Sequence, residues 1–280
     1  MEQYRRNDLT FDVLDAGPPD GPVVVLLHGF PQHNDSWTAV IDRLTTAGYR
    51  CLAPNQRGYS AGARPPRRRD YRIPELVADL GALIDASGAR RVHLVGHDWG
   101  AAVAWAAAAD MPERLATVSP ISVPHPAAFL KSFLNSRQGL ASWYMYFFQL
   151  PRIPEWLLTR RNGAVVAETL RRGGQSRAAA ERDAQAMREP GALKAAINWY
   201  RAMPMLNPRA INQKVSVPTL YVWSDQDIAL LPKSAHDTAR YVTGEYRFEI
   251  LSGVSHWIPD EQPDKLTDLL LDWFAAHKTD

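Results

Sequence analysis

Two periodicities alternate along the chain. Residues Val23–Leu27 are an unbroken apolar, mostly β-branched run between Gly21-Pro22 and His28-Gly29. Such a run predicts a strand buried on both faces. Residues 92–95 read as another buried strand, residues 50–53 as a weaker one, and 116–121, 218–223 and 248–251 as further strands. Between them the spacing changes to that of a helix. Leu76, Leu80, Leu83 and Ile84 form a stripe that Gly88 stops, an alanine-rich segment ends at Met111-Pro112, and Leu266, Leu269, Leu270, Trp273 and Phe274 form a closing stripe. Strands alternating with helices imply a mainly parallel sheet covered on both faces.

Residues 124–211 break this alternation. They contain no convincing strand, only helix-friendly sequence rich in Ala and Arg. Strand-free helical sequence between two βα regions reads as an insertion on the sheet. The expected organisation is therefore one α/β core built from residues 1–123 and 212–280, with 124–211 folding over it as a helical cap.

Composition narrows the options. The 280 residues suffice for a large core without staples. The lone Cys51 excludes an internal disulfide and any multi-cysteine metal site. A balance of 32 basic against 30 acidic residues gives no reason to expect nucleic acid or a charged surface as partner. The longest apolar run, residues 101–109, is far below the ~20 residues of a spanning helix. No apolar stretch follows the first residues, so no secretory signal is expected. The expectation is a cytoplasmic protein, monomeric or homodimeric, with no membrane or nucleic-acid partner. The Arg67-Arg68-Arg69 run reads as a solvated loop. No His-x-x-x-His or Glu-x-x-His pattern supports a metal site.

Candidate chemistry concentrates in Leu94-Val95-Gly96-His97-Asp98-Trp99-Gly100-Ala101. A strand ends, a Gly-x-Asp-x-Gly turn follows and a helix of small residues begins. This is the form of a nucleophile elbow with aspartate at its tip in place of serine. A carboxylate is already ionised at neutral pH and can attack saturated carbon without a base. The following helix N-terminus also favours negative charge. The alternative is that Asp98 merely caps that helix.

Two further loops follow strands. His28-Gly29-Phe30-Pro31 stands where an oxyanion hole needs a backbone N–H. Gly253-Val254-Ser255-His256-Trp257 puts His256 beyond the last strand, at the edge where catalysis gathers in open α/β sheets. Between them, Ser224-Asp225-Gln226-Asp227 supplies a carboxylate. The order nucleophile, acid, histidine is that of the α/β-hydrolases.

With these motifs the chain resembles the α/β-hydrolase superfamily, and within it the epoxide hydrolases, over most of its length. The resemblance implies the α/β-hydrolase fold and no cofactor or metal. It places the triad acid at Asp227, with Asp225 as the alternative, because Ser224 stands where relatives carry glycine. It implies two cap tyrosines that hold the epoxide oxygen. Asn198-Trp199-Tyr200-Arg201 matches the segment of one, Tyr200. The aromatic run from Trp143 to Phe148 matches the other, selecting Tyr144 ahead of Tyr146. One helix face cannot bury that whole run, so some of it should line a cavity.

The reaction so implied is hydrolysis of an epoxide, a small-molecule ether, with water to a vicinal diol. Asp98 forms an alkyl ester, His256 and Asp227 activate water, Tyr144 and Tyr200 protonate the epoxide oxygen, and the N–H groups of Phe30 and Trp99 hold the oxyanion. His28, Pro31, His125 and Trp257 are expected around the substrate pocket, His125 alternatively as a hinge. His97 and His93 read as structural, and His33, His236 and His277 as surface residues. Asn55-Gln56 departs from relatives that carry an aspartate before Arg57-Gly58, in an expected support loop. A haloalkane or haloacid dehalogenase would use the same nucleophile, acid and base. The paired tyrosines argue against it. A non-catalytic receptor on this fold is the alternative of another class, and an intact acid–base set argues against that.

Overall fold

The computed structural model describes residues 1–279. Eight strands form one sheet: β1 (Gln3–Arg6), β2 (Leu9–Ala16), β3 (Val23–Leu27), β4 (Arg50–Pro54), β5 (Val92–His97), β6 (Leu115–Ile121), β7 (Thr219–Ser224) and β8 (Tyr246–Leu251). Their spatial order is β1-β2-β4-β3-β5-β6-β7-β8. All neighbours from β4 to β8 run parallel, while β1 and β2 are antiparallel.

The apolar runs follow from two-sided burial. Along β3, Val25 and Leu27 face one core, with the helices Ile73–Ser87 and Trp99–Asp110. Val24 and Leu26 face the other, with the helices Thr38–Thr46 and Pro263–Ala276. A strand whose alternate side chains enter two different cores has no polar face to show.

The hairpin β1–β2 is an addition to the sequence expectation. Its alternation is weak, because β2 sits near the sheet edge and buries only Phe11 and Val13. A half-exposed edge strand needs no continuous apolar run. Asn7 occupies the left-handed region (φ 53°) at the turn, a conformation asparagine tolerates.

Between β6 and β7 the chain is helical among the described residues, from Pro126–Asn135 to Pro208–Ile211. The helix Ala192–Ala202 anchors this segment. Nine of its residues are buried, and the Trp199 indole donates to the Arg57 carbonyl at 2.8 Å. His125 ties both crossings. Its Nδ1 accepts from the Ala127 N–H at 3.2 Å, and its Nε2 lies 3.0 Å from the Gln213 carbonyl. Burial holds its pKa down at about 4, so a neutral ring keeps both bonds at neutral pH.

Candidate active site

The turn after β5 brings backbone against backbone. A Cβ at Gly100 would meet the Leu27 carbonyl oxygen at 2.2 Å, and one at Gly96 would meet the Gly100 oxygen at 2.2 Å. We expect Gly100→Ala to cost about 3 kcal/mol or more, because the nearest atoms are backbone and cannot rotate away. Calorimetry on the purified variant checks this. A variant as stable as the parent would contradict the packing.

Asp98 sits at the tip with φ 50° and ψ −119°, a strained conformation for a residue with a side chain. Its carboxylate makes no capping bond to the helix it precedes. Oδ1 instead accepts the Phe30 N–H at 2.7 Å, and Oδ2 lies 3.6 Å from His256 Nε2. Trp99 opens the helix, so its N–H has no acceptor within it. The neighbouring loop carries Gly29 because a Cβ there would collide with Asp98.

His256 Nδ1 lies 2.7 Å from Asp227 Oδ2. The other oxygen of Asp227 accepts the N–H groups of Ala229 and Leu230 at 2.8 and 2.9 Å. Asp225 is exposed and accepts the Gly253 N–H at 2.8 Å, turned away from the histidine. Burial alone would lower the pKa of His256. The charge of Asp227 and hydrogen bonds to Asp227 and Asp98 outweigh it and raise the value to about 10. Burial pushes the Asp98 pKa up, but His256 and the Phe30 N–H more than compensate and hold it below the usual carboxylate range. The resting pair is therefore a carboxylate beside an imidazolium.

His97 lies behind the site, its Nδ1 3.0 Å from Gln32 Oε1 and its Nε2 2.9 Å from the His256 carbonyl. Ser122 Oγ also donates to that carbonyl at 2.9 Å. Ser122 is a site residue that the sequence did not reveal. It follows β6 in a left-handed conformation (φ 68°), and a lone serine between strand and cap carries no pattern.

Asp98 and Trp99 open onto a cavity of about 440 Å³, also lined by Tyr144, Tyr200 and His125. The Tyr144 and Tyr200 rings lie 6.0 Å apart. Burial, then the charge of Asp98, pushes both phenols well above their usual pKa, so both stay protonated. Tyr146 is exposed and outside the lining. Of the aromatic run, Tyr144 lines the cavity and Phe148 is buried, while Trp143 and Tyr146 face solvent.

Three expected pocket residues lie elsewhere. His28 is fully buried, its Nε2 accepting the Gln56 N–H at 3.1 Å, so it braces the loop. Gln56 Nε2 returns a bond to the His28 carbonyl, so the departure at Asn55-Gln56 still serves support. Pro31 is buried and outside the lining. Trp257 packs on Val166 and Leu170 of the inserted helices and donates to the Gly173 carbonyl at 3.1 Å. His33 and His277 are half-buried, not surface residues, while His236 is exposed. His33 stacks edge-on to Tyr59, and His277 lies against Trp273.

Comparison with known proteins places the chain in a family. The family model described as alpha/beta hydrolase fold matches residues 22–263. Epoxide hydrolase A of Mycobacterium tuberculosis is 33% identical, over 96% of this chain and 95% of that one. Human epoxide hydrolase 4 is also 33% identical, over 96% of this chain and 76% of its own. The chain belongs to the epoxide hydrolase family of α/β-hydrolases. An AB hydrolase superfamily protein of Bacillus subtilis, YfhM, is 37% identical to this family member over 95% of each chain. The crystal structure of epoxide hydrolase A from Mycobacterium thermoresistibile superposes with a TM-score of 0.86 at 26% identity, covering 99% of this chain and 98% of that one. Among the described residues, no helix of this family member is long and apolar enough to cross a membrane.

Proposed function

We propose that the protein hydrolyses an epoxide to a vicinal diol through an ester on Asp98. One observation carries the reading. A strained, ionised carboxylate faces a cavity roofed by two protonated tyrosines, with a buried Asp–His pair behind it.

Asp98 Oδ2 attacks one ring carbon, and the carbon–oxygen bond of the epoxide breaks. The departing alkoxide takes a proton from Tyr144 or Tyr200, because an alkoxide is a stronger base than a phenolate. Asp98 Oδ1 stays against the Phe30 N–H and becomes the ester carbonyl. Esterification removes one of the two negative charges beside His256, so its pKa falls and it gives up its proton, the tyrosinate regaining one through solvent; the neutral ring can then take a proton from water. The water oxygen attacks the ester carbonyl, with Asp227 stabilising the imidazolium. The N–H groups of Phe30 and Trp99 hold the tetrahedral oxyanion, each such donor contributing roughly 3–4 kcal/mol in comparable sites. Collapse of that intermediate breaks the ester bond; the leaving alkoxide takes the proton from the His256 imidazolium to complete the diol, and the carboxyl proton passes to the neutral ring, restoring the resting pair. The reaction needs water and the epoxide alone, with no metal or cofactor, and we place it in the cytoplasm.

Isotope flow tests the ester. In ¹⁸O-labelled water the first turnover puts the label into Asp98 and an unlabelled aspartate oxygen into the diol. Later turnovers pass the label on. Styrene oxide is a suitable probe, with peptide mass spectrometry as the readout. Label appearing directly in the first-turnover diol, with none in Asp98, would refute the ester. Halide release from haloalkanes without diol formation would favour the dehalogenase reading.

A further inference from the structure

The helix Trp99–Asp110 has no polar face. Its buried residues include Val103, Ala104, Trp105, Ala107 and Ala108. The remaining side carries Ala102, Ala106 and Ala109, each only half-buried, with Ala106 still touching the core. On an ordinary surface helix that side would be charged or polar. All three alanines line the cavity, together with Asp98 at the start of the helix and Asp110 at its end. The cavity therefore follows the helix for its length, about 18 Å at 1.5 Å per residue. Apolar side chains predominate in the rest of the lining, among them Phe129, Leu130, Met145, Met203 and Leu206. Of its polar lining residues, Arg72, Asp110, Asn207 and Gln213 are exposed, and Asp110 closes the helix at the end away from Asp98.

The reacting groups lie at one end of this channel, not along it. Asp98 precedes the helix, Tyr200 packs on the adjoining Trp99 at 5.1 Å, and Tyr144 packs on Tyr200 at 6.0 Å. A ligand filling the channel presents one terminus to Asp98 and lays the rest along alanine and methionine.

We propose that the substrate is a long-chain apolar epoxide with the ring at its chain end, its tail lying over Ala102, Ala106 and Ala109. This rests on the epoxide hydrolase reading and specifies the substrate of the same site. Alanine at these positions leaves width for the tail. A larger side chain at Ala106 blocks the channel midway while the reacting end stays open.

The test compares epoxybutane, epoxyoctane and epoxydodecane, each with a terminal ring, below their solubility limits. For the parent protein kcat/KM should rise by roughly threefold per added methylene while the tail is inside the channel. A twelve-carbon epoxide with its ring mid-chain should be a poorer substrate than the terminal isomer. In Ala106→Phe the epoxydodecane-to-epoxybutane ratio of kcat/KM should fall about tenfold or more, and circular dichroism and thermal unfolding check that the variant is folded. Ala109→Leu, a smaller intrusion, should lower the same ratio less. A flat chain-length series, preference for the mid-chain ring, or equal losses on both substrates in Ala106→Phe overturns the proposal. Absence of diol from every epoxide with the parent protein would instead overturn the functional reading.

Discussion

His256→Gln is expected to alkylate itself once and stop. Steady-state diol formation should fall by about 10⁴-fold or more, as when a triad member is removed elsewhere. The first step should survive, because Asp98 needs no base to attack and glutamine fills most of the imidazole's space. Intact-protein mass spectrometry should then show one substrate mass added per chain, located on the peptide containing Asp98. A variant that turns over normally, or forms no adduct on any epoxide, would contradict the division of labour.

The parent protein should show the same division as a pH effect. Asp98 is held ionised below the usual carboxylate range, so alkylation stays available in mild acid. His256 has a pKa of about 10 while both carboxylates are charged, and it falls once Asp98 is an ester. Hydrolysis needs the neutral ring, so it slows as pH drops through that lowered value. Rapid quenching should therefore trap more ester at pH 5 than at pH 8. The reverse ordering would mean that the histidine does not limit the second step.

The paired substitution Tyr144→Phe with Tyr200→Phe should lower the alkylation rate by about 10³-fold, within the range of general acid catalysis. Each single variant should lose much less than half of that on a logarithmic scale. With the rings 6.0 Å apart, either hydroxyl can reach the same epoxide oxygen. Single-turnover kinetics reads this step separately from ester hydrolysis. Hydrolysis of an ester already formed should be nearly unchanged in the double variant, because neither phenol is needed to activate water. Additive single losses would mean that the two tyrosines have separate tasks.

Much of the proposed catalytic set was legible because strand ends carry it. Asp98, Asp227 and His256 each follow a buried strand within a few residues, and parallel strands deliver such residues to one edge of a sheet. The Tyr200 segment was legible by motif. Its placement depends on the helix Ala192–Ala202, whose buried face docks Trp199 on Arg57. The edge hairpin escaped the pattern, because half-exposed strands lack a continuous apolar run. The pocket roles expected for His28 and Trp257 failed for a related reason. His28 braces the loop at Gln56 and Trp257 docks the inserted helices, and only packing distinguishes a brace from a wall.

The amino-acid sequence by itself determined the alternating architecture, the elbow and the carboxylate at its tip, because these rest on local periodicity and on turns that only glycine permits. Only the tertiary structure showed that Tyr144 lines the cavity and Asp227 meets His256 while Tyr146 and Asp225 are exposed. It also decided the meaning of the alanine helix. Seven alanines between positions 101 and 109 suggest a helix lying tight on the sheet. Three of them instead form the floor of a channel, because the inserted helices stand off from that face. Such a gap is set by contacts between residues far apart in the chain, and no local pattern records it.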